Sequence, residues 1–368
     1  MTLARLYGRT LGNGSLAVVT RGFESALRDA GILKGLYSID LAASYVDGEA
    51  PTGGADARYG IYVGPLDAVG QMFERGRHEE HFIMVTPNSD QLPRDLVTKL
   101  NRYADEHVVT FIAPSRWATK VVQRHLGSCW PVPHGVSPEF RPYPEHAQEI
   151  RDLYAQGTFR VIHFSSSDRQ RKGTVELLRA WEILQGSGWA GSGARLLCVM
   201  DYPAKRAIEE AIMDGEVENW EKLKETVDIK DRIDASPEGM ARLLCQSHVV
   251  CQPSRGEGFG LVPLEALCSG VPVAATTVTG HSEFLLPTTR GFEPISTGEL
   301  SSIDDLPGSL APALSPMAIA RALVRARDNW RELWMWAQND SAALRANWSW
   351  TASLSREPYS FVEMLKHP

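Results

Sequence analysis

Two patterns of hydrophobic and polar residues alternate along the chain. Short runs rich in β-branched and aromatic residues are separated by longer stretches with apolar residues at helical spacing. The short runs are RYGIYVG (58–64), HFIMVTP (81–87), HVVTFIAP (107–114), FRVIHFS (159–165), ARLLCVM (194–200), HVVCQPS (248–254) and VPVAAT (271–276). This alternation predicts an α/β protein of doubly wound, parallel, Rossmann-like sheets with helices on both faces.

The length of 368 residues favours two such domains, because one hydrophobic core rarely serves so long a chain. Between the two groups of strands, GVSPEFRPYPEHAQE (135–149) interrupts the apolar pattern with three prolines and several charges. We therefore place the boundary near residue 145, with a first domain at 1–145. The stretch 293–316 predicts a long loop before a helix whose N-cap is Ser315 and whose first turn holds Pro316.

Composition narrows the class of protein. The formal charge of −7 gives no global attraction to nucleic acid or anionic lipid, so such a partner would have to meet a local basic patch. The five cysteines form no C-x-x-C pair and stand in apolar contexts, as small buried residues do in a reducing compartment. Neither a signal-length apolar N-terminus nor a run of 18 apolar residues is present. We expect a cytoplasmic protein without a transmembrane segment or metal site.

A glycine-rich stretch near the N-terminus, TLGNGSLAVVTRGFESALRDAG (10–31), leads into a predicted helix that ends at Gly31. Gly12 and Gly14 immediately precede that helix, so their backbone could approach an anion at its positive end. A turn capped by Asn13 or Ser15 explains the same residues equally well.

Two carboxylates stand close together in SRGEGFGLVPLEALCSG (254–270). The preceding run is a buried strand, so Glu257 falls in a glycine-rich turn and Glu265 in the helix that follows, both on the ligand side of the sheet. Carboxylates accept hydrogen bonds from vicinal hydroxyls, and the N–H groups of Gly258, Phe259, Gly260 and Leu261 suit phosphate oxygens. A sugar nucleotide has both groups. The alternative is an ordinary loop glutamate and a carboxylate favouring the helix dipole.

Three cations precede another predicted helix in FSSSDRQRKGTVELLRAWEIL (164–184). Arg169, Arg171 and Lys172 stand against the helix dipole there, which favours a diphosphate clamp over helix stabilisation. One cation–phosphate contact at 4 Å is worth roughly 4 kcal/mol before desolvation at an effective dielectric near 20. A solvated basic turn is the alternative.

These residues resemble the retaining glycosyltransferases of family four, which have the GT-B fold. GEGFGLVPLEALCSGVPVAAT carries their signature of two glutamates separated by seven residues, RKG carries their phosphate lysine, and PVPHGVSPEF is similar to their interdomain crossing. NWSW (347–350) is similar to the point where the last helix returns to the first domain. The resemblance covers nearly the whole chain and implies two Rossmann-like domains facing across a cleft, a nucleotide-sugar domain at 146–345 and a returning helix at 346–368.

The resemblance also implies roles for individual residues. Glu257 would contact the donor sugar and Glu265 the nucleotide ribose, while the backbone of Phe259 to Leu261 would bind sugar and phosphate. Lys172 with a neighbouring arginine would hold the diphosphate, and Gly14 would contact the phosphate from the first domain. Glu257, Lys172 and Arg171 are accordingly the predicted catalytic residues, and Gly12, Ser166 and Arg169 complete the predicted donor site.

The sequence departs from the family pattern at two places. Many members have an arginine where this chain has Ser166, so Arg169 or Arg171 would substitute for it. Many also have a histidine after the fourth strand of the first domain, where this chain has MVTPNSD (84–90). His81 falls inside or just before that strand, so Asn88 and Asp90 become the candidates on the acceptor side. His134 is the third acceptor-side candidate.

The resemblance implies a reaction that moves a sugar from a nucleoside-diphosphate sugar, UDP- or GDP-linked, to an acceptor hydroxyl with retention of configuration. We expect no cofactor and no metal, because cations take the metal's place and the chain has no D-x-D triplet. A nucleotide-sugar 2-epimerase of the same fold is an alternative, although it needs acid–base residues and no acceptor. A catalytically silent sugar-nucleotide sensor is another.

The sequence leaves the acceptor and the oligomeric state open. Six basic residues stand within residues 94–124 with Tyr103 and Trp117 among them; they are Arg94, Lys99, Arg102, Arg116, Lys120 and Arg124. They suit either a solvated helix face or a surface that tracks phosphates, as in enzymes that glycosylate hydroxymethylated bases of phage DNA. Five tryptophans between 330 and 350 suit core packing better than a membrane edge.

Overall fold

The structure is a computed structural model that describes residues 4–8, 15–39, 46–47, 57–64, 78–166, 168–189, 193–231, 236–302, 309–358 and 360–366. The chain divides into two compact units, Met1–Ser137 with Ala346–Pro368, and Pro138–Arg345. The division follows Ser137 rather than residue 145, because the helix Pro144–Ala155 places Ile150 in the core of the second unit. Gly12 and Gly14, predicted to approach an anion, lie outside the described residues.

Within the described residues, the first unit holds a seven-stranded sheet in the order β3-β2-β1-β4-β5-β6-β7. Its strands are β1 (Ala4–Gly8), β2 (Leu33–Ile39), β3 (Val46–Asp47), β4 (Tyr59–Val63), β5 (Glu80–Met84), β6 (Val109–Ala113) and β7 (Trp130–Pro131). Only β3 runs antiparallel to its neighbour. The runs predicted at 58–64, 81–87 and 107–114 are three of these strands. Most of their residues are buried, which explains why these strands are largely apolar.

Helices α1 (Ser15–Asp29), α2 (Arg94–Glu106) and α3 (Arg116–Leu126) flank this sheet. In α1 the predicted apolar stripe is buried at Val19, Phe23 and Leu27, and the chain leaves the helix through Gly31 at φ 70°. The end of the chain adds short helices at Trp350–Leu354 and Phe361–Lys366 to the same unit. Phe361 packs against Phe23 of α1, so the C-terminal segment belongs to the core of the first unit.

The second unit contains a six-stranded, all-parallel sheet in the order β10-β9-β8-β11-β12-β13, again counted over the described residues. Its strands are β8 (Phe159–Phe164), β9 (Ala194–Met200), β10 (Val227–Asp231), β11 (Val249–Gln252), β12 (Val273–Ala275) and β13 (Phe292–Pro294). This is the 3-2-1-4-5-6 order of dinucleotide-binding sheets, in which ligands bind where the strand order reverses, here between β8 and β11.

Nine helices surround this sheet among the residues that the structure describes. They are α4 (Pro144–Ala155), α5 (Arg169–Lys172), α6 (Thr174–Gly186), α7 (Tyr202–Met213), α8 (Trp220–Leu223), α9 (Pro237–Cys245), α10 (Leu261–Cys268), α11 (Pro316–Asp328) and α12 (Trp330–Asn347), with a 3₁₀ turn at Thr279–Glu283. Ser315 is the N-cap residue of α11 and Pro316 is its first residue, as predicted. Trp181 and Trp330 are fully buried, as core residues are.

The stretch 293–316 is not the loop that the sequence predicted. It contains a separate antiparallel ribbon of two strands, β14 (Thr297–Ser302) and β15 (Leu310–Leu314). Its polar residues, glycine and proline concealed the strand pattern, since such residues are depleted in strands.

None of the helices within the described residues combines the length and apolarity needed to span a bilayer. All five cysteines, Cys129, Cys198, Cys245, Cys251 and Cys268, are free and buried, as the sequence predicted.

Candidate active site

The predicted lysine and the first predicted glutamate meet at the point where the strand order of the second unit reverses. Strand β8 leads into the short helix α5, which carries Arg171 and Lys172, and its neighbour β11 leads into the turn that carries Glu257. The carboxyl ends of two adjacent parallel strands thus bring together residues that are 85 positions apart.

Glu257 is held by two cations and a hydroxyl. Lys172 Nζ lies 2.6 Å from Oε1, and Arg171 Nη1 lies 3.3 Å from Oε2. Ser254 Oγ donates to Oε1 at 2.8 Å. The side chains of Lys172 and Glu257 are only 18% and 11% exposed, so the pair is largely shielded from solvent and salt.

Burial alone would raise the pKa of the Glu257 carboxyl, but the charges of Lys172 and Arg171 outweigh burial and hold this pKa below its usual range. Burial lowers the pKa of the Lys172 ammonium and the neighbouring Arg171 charge acts in the same direction, while Glu257 opposes both. The glutamate is therefore a carboxylate at neutral pH, suited to accept hydrogen bonds rather than to donate a proton.

The two arginines of α5 point to different partners. Arg171 Nε and Nη2 donate to Asp168 Oδ2 at 3.0 and 2.9 Å, and its Nη1 donates to the Gly256 carbonyl at 2.8 Å. Arg169 instead contacts the Ala207 carbonyl and the carboxylate of Glu216. The structure thus places Arg171 beside Glu257, whereas Arg169 binds to α7 and to the segment that follows it.

The glycine turn after Glu257 is hydrogen-bonded to residues that follow β12. The Glu257 N–H donates to Thr279 Oγ1 at 2.9 Å, and the Gly280 N–H donates to the Glu257 carbonyl at 2.8 Å. A side chain at Gly280 would collide with the Gly258–Phe259 backbone, because a Cβ there would lie 2.5 Å from Phe259 N. Only glycine permits this approach of the two main chains.

The turn ends at Gly260, whose φ is 97°, and α10 starts at Leu261. The Phe259 side chain is buried against Phe284, so it is the main chain that this residue can offer a ligand. Gly260 has no side chain that could cap the first turn of α10. The N–H groups of this turn are therefore suited to bind an anion. Glu265 lies further along α10 and is 6% exposed.

A buried polar network under the site fixes the end of β8. His163 lies between the Cys251 carbonyl, 2.9 Å from Nδ1, and the Thr174 hydroxyl, 2.9 Å from Nε2. Ser165 Oγ lies 2.7 Å from the same hydroxyl. Burial lowers the pKa of His163 to about 4, so the ring is neutral at neutral pH, with Nδ1 donating to the carbonyl and Nε2 accepting. The predicted donor residue Ser166 follows this network, half-buried.

The acceptor-side candidates lie in the first unit. Asn88 is exposed and Asp90 half-buried in the turn after β5, where the Asp90 carbonyl accepts from Arg124 Nη2 at 3.2 Å. His134 is buried with its ring 5.7 Å from that of Trp350, and burial lowers its pKa to about 3. His81 lies within β5 and is hydrogen-bonded to Tyr62, and burial lowers its pKa to about 4.

The sequence interpretation gave no role to four residues that lie in or against the turn, namely Ser254, Arg255, Thr279 and Gly280. The first two lie inside the quoted glycine-rich run, and the others follow VPVAAT, a predicted neighbouring strand. Because carboxyl ends of parallel strands share one edge of a sheet, the sequence did contain a signal for Thr279 and Gly280. Within the described residues, no cluster of three or more His, Cys, Asp or Glu side chains is arranged to hold a metal ion.

The fold matches solved structures over the full length of the chain. Sucrose-phosphate synthase from Thermosynechococcus elongatus superposes with a TM-score of 0.72 at 15% identity, covering 100% of both chains. Anabaena HepE in complex with UDP and glucose gives 0.66 at 13% identity, also covering both chains completely. The lipopolysaccharide-biosynthesis glycosyltransferase WaaG gives 0.58 at 14% identity over 98% of each chain. These likenesses show the fold of the chain: its two Rossmann-like units have the GT-B architecture.

Sequence comparison identifies the family. The model described as "Family 4 Glycosyltransferase in conflict systems" matches residues 115–355, more than half of the chain, and the chain belongs to this family. A D-inositol 3-phosphate glycosyltransferase from Kineococcus radiotolerans is 29% identical over 62% of this chain. The mannosyltransferase LpsB of lipopolysaccharide core biosynthesis in Rhizobium meliloti is 52% identical over 15% of it. These matches span 50% and 14% of those two relatives.

Proposed function

We propose that the chain transfers a sugar from a nucleoside-diphosphate sugar to an acceptor hydroxyl, with retention of anomeric configuration and without a metal or cofactor. The observation that carries the proposal is the Glu257 carboxylate held between Lys172 and Arg171 beside the N-terminus of α10. Family membership and the complex of HepE, a protein of the same fold, with UDP and glucose support it.

In the proposed reaction, the acceptor oxygen bonds to the anomeric carbon from the face that the diphosphate leaves. The bond from this carbon to the phosphate oxygen breaks, and the acceptor's proton leaves with that oxygen. Lys172, Arg171 and the first-turn N–H groups of α10 stabilise the negative charge that develops on the diphosphate. These cations supply the stabilisation that a metal would otherwise give.

Glu257 suits a binding role in this scheme better than a nucleophilic one. Its carboxylate is engaged by Lys172 and Ser254, and charge pairing holds its pKa low, which reduces its nucleophilicity. It remains able to accept hydrogen bonds from the vicinal hydroxyls of a sugar. Glu265 would accept from the ribose of the nucleotide, and UDP or GDP is the expected nucleotide.

Ligand binding and turnover test the proposal in sequence. Thermal unfolding with UDP, GDP, ADP and TDP identifies the nucleotide, and release of that nucleotide from its sugar conjugates is then measured with and without hydroxyl acceptors and with EDTA. We expect release that rises with acceptor, persists in EDTA and gives a product with the donor's anomeric coupling constant. Acceptor-independent conversion of the sugar would support an epimerase, and binding without turnover a sensor.

A surface of the first unit favours DNA carrying hydroxymethylated pyrimidines as a second candidate acceptor. Trp117, Lys120, Gln123 and Arg124 of α3 line an open cavity of about 520 Å³. Arg124 also reaches the turn after β5, at the edge of the sheet where ligands of Rossmann-like domains bind. Two cations beside a half-buried indole suit a phosphate backbone and an unstacked base.

Charge reversal tests the DNA candidate. Lys120→Glu with Arg124→Glu should weaken binding of hydroxymethylated single-stranded DNA at least tenfold and flatten its salt dependence, since each phosphate contact adds about one unit to the slope. Arg206→Glu, an exposed charge of the second unit, is the matched control. Equal DNA binding by all three proteins would leave carbohydrates, lipids and small molecules as acceptors.

A further inference from the structure

The ribbon formed by β14 and β15 contacts the candidate active site through a buried arginine. Arg255 stands two residues before Glu257, and its side chain points away from that carboxylate into the ribbon. Its Nε donates to the Pro312 carbonyl at 3.0 Å, and its Nη2 donates to Ser301 Oγ at 2.7 Å and the Ser302 carbonyl at 3.0 Å. Arg255 is 6% exposed, so these charge-assisted bonds are formed away from water.

The backbone of Arg255 is tied to the lysine segment as well. Its N–H donates to the Arg171 carbonyl at 2.8 Å, directly before Lys172 in the chain. One residue therefore joins the turn that carries Glu257, the helix that carries Lys172, and the ribbon.

The ribbon touches the lysine segment a second time through Leu314 of β15. Gly173 follows Lys172 at φ 66°, and a Cβ at this position would lie 2.7 Å from Leu314 Cδ2 and 2.3 Å from the Pro253 carbonyl. The turn after Lys172 is thus packed between the ribbon and the start of the glutamate turn, with no room for a side chain.

The outer face of the ribbon has a different character. Leu300 and Leu310 are 62% and 44% exposed. A two-stranded ribbon outside a sheet is marginal by itself, so its order depends on the contacts that it makes with the rest of the unit. The ribbon makes its described contacts through Arg255 and Leu314. These contacts are with the turn that carries Glu257 and with the segment that carries Lys172, the two parts of the candidate donor clamp.

We propose that the β14–β15 ribbon is a brace for the donor site and that Arg255 is its positioning residue, which sets the Lys172–Glu257 geometry without touching the donor. This inference rests on the proposed function. It predicts that Arg255 controls the binding of nucleoside diphosphate although its guanidinium is directed at the ribbon. By linkage, nucleotide binding must stabilise the ribbon in return.

Kinetics of Arg255 variants test the brace, with the nucleotide sugar identified by the thermal panel as donor. Arg255→Ala should lower kcat/KM for the donor by about ten- to a hundredfold, the range expected for lost hydrogen bonds to a charged group. KM for the acceptor should not change. Arg255→Lys should recover part of the loss because one ammonium can serve some of the same oxygens. Leu300→Ala, on the outer face, is the control and should match the wild type.

Hydrogen exchange provides a readout that needs no variant. Saturating the wild-type protein with the bound nucleoside diphosphate should slow amide exchange in 297–302 and 310–314 together with 254–261. Slowing restricted to 254–261 would overturn the brace. So would an Arg255→Ala protein that melts earlier yet keeps wild-type donor kinetics well below its melting temperature, since that is a purely structural role.

The same experiments separate failure of the brace from failure of the proposed function. A wild-type protein that binds none of the four nucleotides and releases none from sugar conjugates overturns both. A wild-type protein that turns over donor, with Arg255→Ala behaving identically, overturns the brace alone.

Discussion

Lys172 Nζ lies 2.6 Å from Glu257 Oε1, which joins the two segments that follow adjacent strands of one sheet. This carboxylate neutralises the charge of Lys172, the cation that is proposed to hold a diphosphate. Donor binding must therefore exchange part of this ion pair for contacts with phosphate and sugar. The pair supports the local fold as well as the proposed chemistry, and variants have to separate these roles.

The variants Lys172→Met and Glu257→Gln, alone and together, should separate the structural role of the ion pair from its proposed catalytic role. Each single variant leaves the partner charge buried and should lower the free energy of unfolding by about 1–3 kcal/mol. The double variant should be more stable than the sum of the two losses predicts. Turnover should fall by about 10²–10³ in each single variant and should not recover in the double variant, because the charge that stabilises the leaving group is absent.

Urea unfolding and donor kinetics of the four proteins complete this double-mutant cycle. Recovery of both stability and turnover in the double variant would mean that the pair only holds the fold. Turnover near the wild-type level in Lys172→Met would remove Lys172 from the proposed clamp.

Gly260→Ala should disrupt the glycine turn more strongly than its backbone angle alone explains. A Cβ here would lie 2.1 Å from Cδ2 of His281, whose fully buried ring cannot move aside, so the turn itself must shift. We expect a loss of about 3 kcal/mol or more in the free energy of unfolding, with weakened nucleotide binding.

Gly215→Ala is the matched control, since Gly215 has φ 76° and open space around its Cβ position. It should lose about 1–2 kcal/mol from the left-handed backbone alone and keep the wild-type nucleotide affinity. Chemical denaturation and calorimetric titration measure both effects. Equal losses in the two variants would show that the contact with His281 does not matter.

The sequence was most informative where burial alone decides the structure. Strand β11 is fully buried and apolar from Val249 to Cys251, which made it recognisable. Strand β10, with the sequence VDIKD, lies at the edge of its sheet, and its alternating charges concealed it. The ribbon was missed because its order comes from tertiary contacts such as those of Arg255, which no local pattern reports.

The sequence offered candidate residues for the site but not the pairings between their side chains. The signature with Glu257 and Glu265 and the basic run could both be recognised from spacing. Arg169 and Arg171 are two residues apart on one helical segment, so their side chains project about 200° apart. Only the structure assigns Arg171 to Glu257 and Arg169 to Glu216.

Gly22→Ala should destabilise the first unit, contrary to the usual effect of this substitution within a helix. Alanine normally gains about 0.5–1 kcal/mol over glycine there. A Cβ at Gly22 in α1 would instead lie 2.0 Å from the Trp350 ring, so the C-terminal segment would have to move. We expect a loss of about 1–3 kcal/mol, the usual penalty for overpacking, measured by chemical denaturation.

Gly186→Ala at the end of α6 provides the control of opposite sign. Nothing lies within 4 Å of its Cβ position, and its φ is outside the left-handed region. This variant should be equal to the wild type in stability or up to about 1 kcal/mol more stable. A stabilising Gly22→Ala would show that Trp350 does not pack against α1 in solution.

Stability should fall with acidification below about pH 6.5 because buried histidines must stay neutral. Burial lowers the pKa of His163 and of His248 to about 4. In His248, Nδ1 accepts from the Arg160 N–H at 2.8 Å and Nε2 donates to the Ile150 carbonyl, so a second ring proton has no acceptor. In the unfolded chain these two histidines take up a proton near pH 6.5, whereas in the folded chain they do so only near pH 4. The unfolded state therefore binds more protons between pH 6.5 and 4.

Each of these two histidines should therefore lower the free energy of unfolding by roughly 1.4 kcal/mol per pH unit across that window, with no effect above it. Urea unfolding at intervals from pH 7.5 to 4.5 measures the slope. His163→Gln should reduce the slope by about the share of one histidine, whereas His125→Gln, which keeps both buried rings, should retain the wild-type slope. An unchanged slope in His163→Gln would mean that the His163 ring of the wild type takes up a proton in the folded protein. The description of a neutral hydrogen-bond network around His163 would then be wrong.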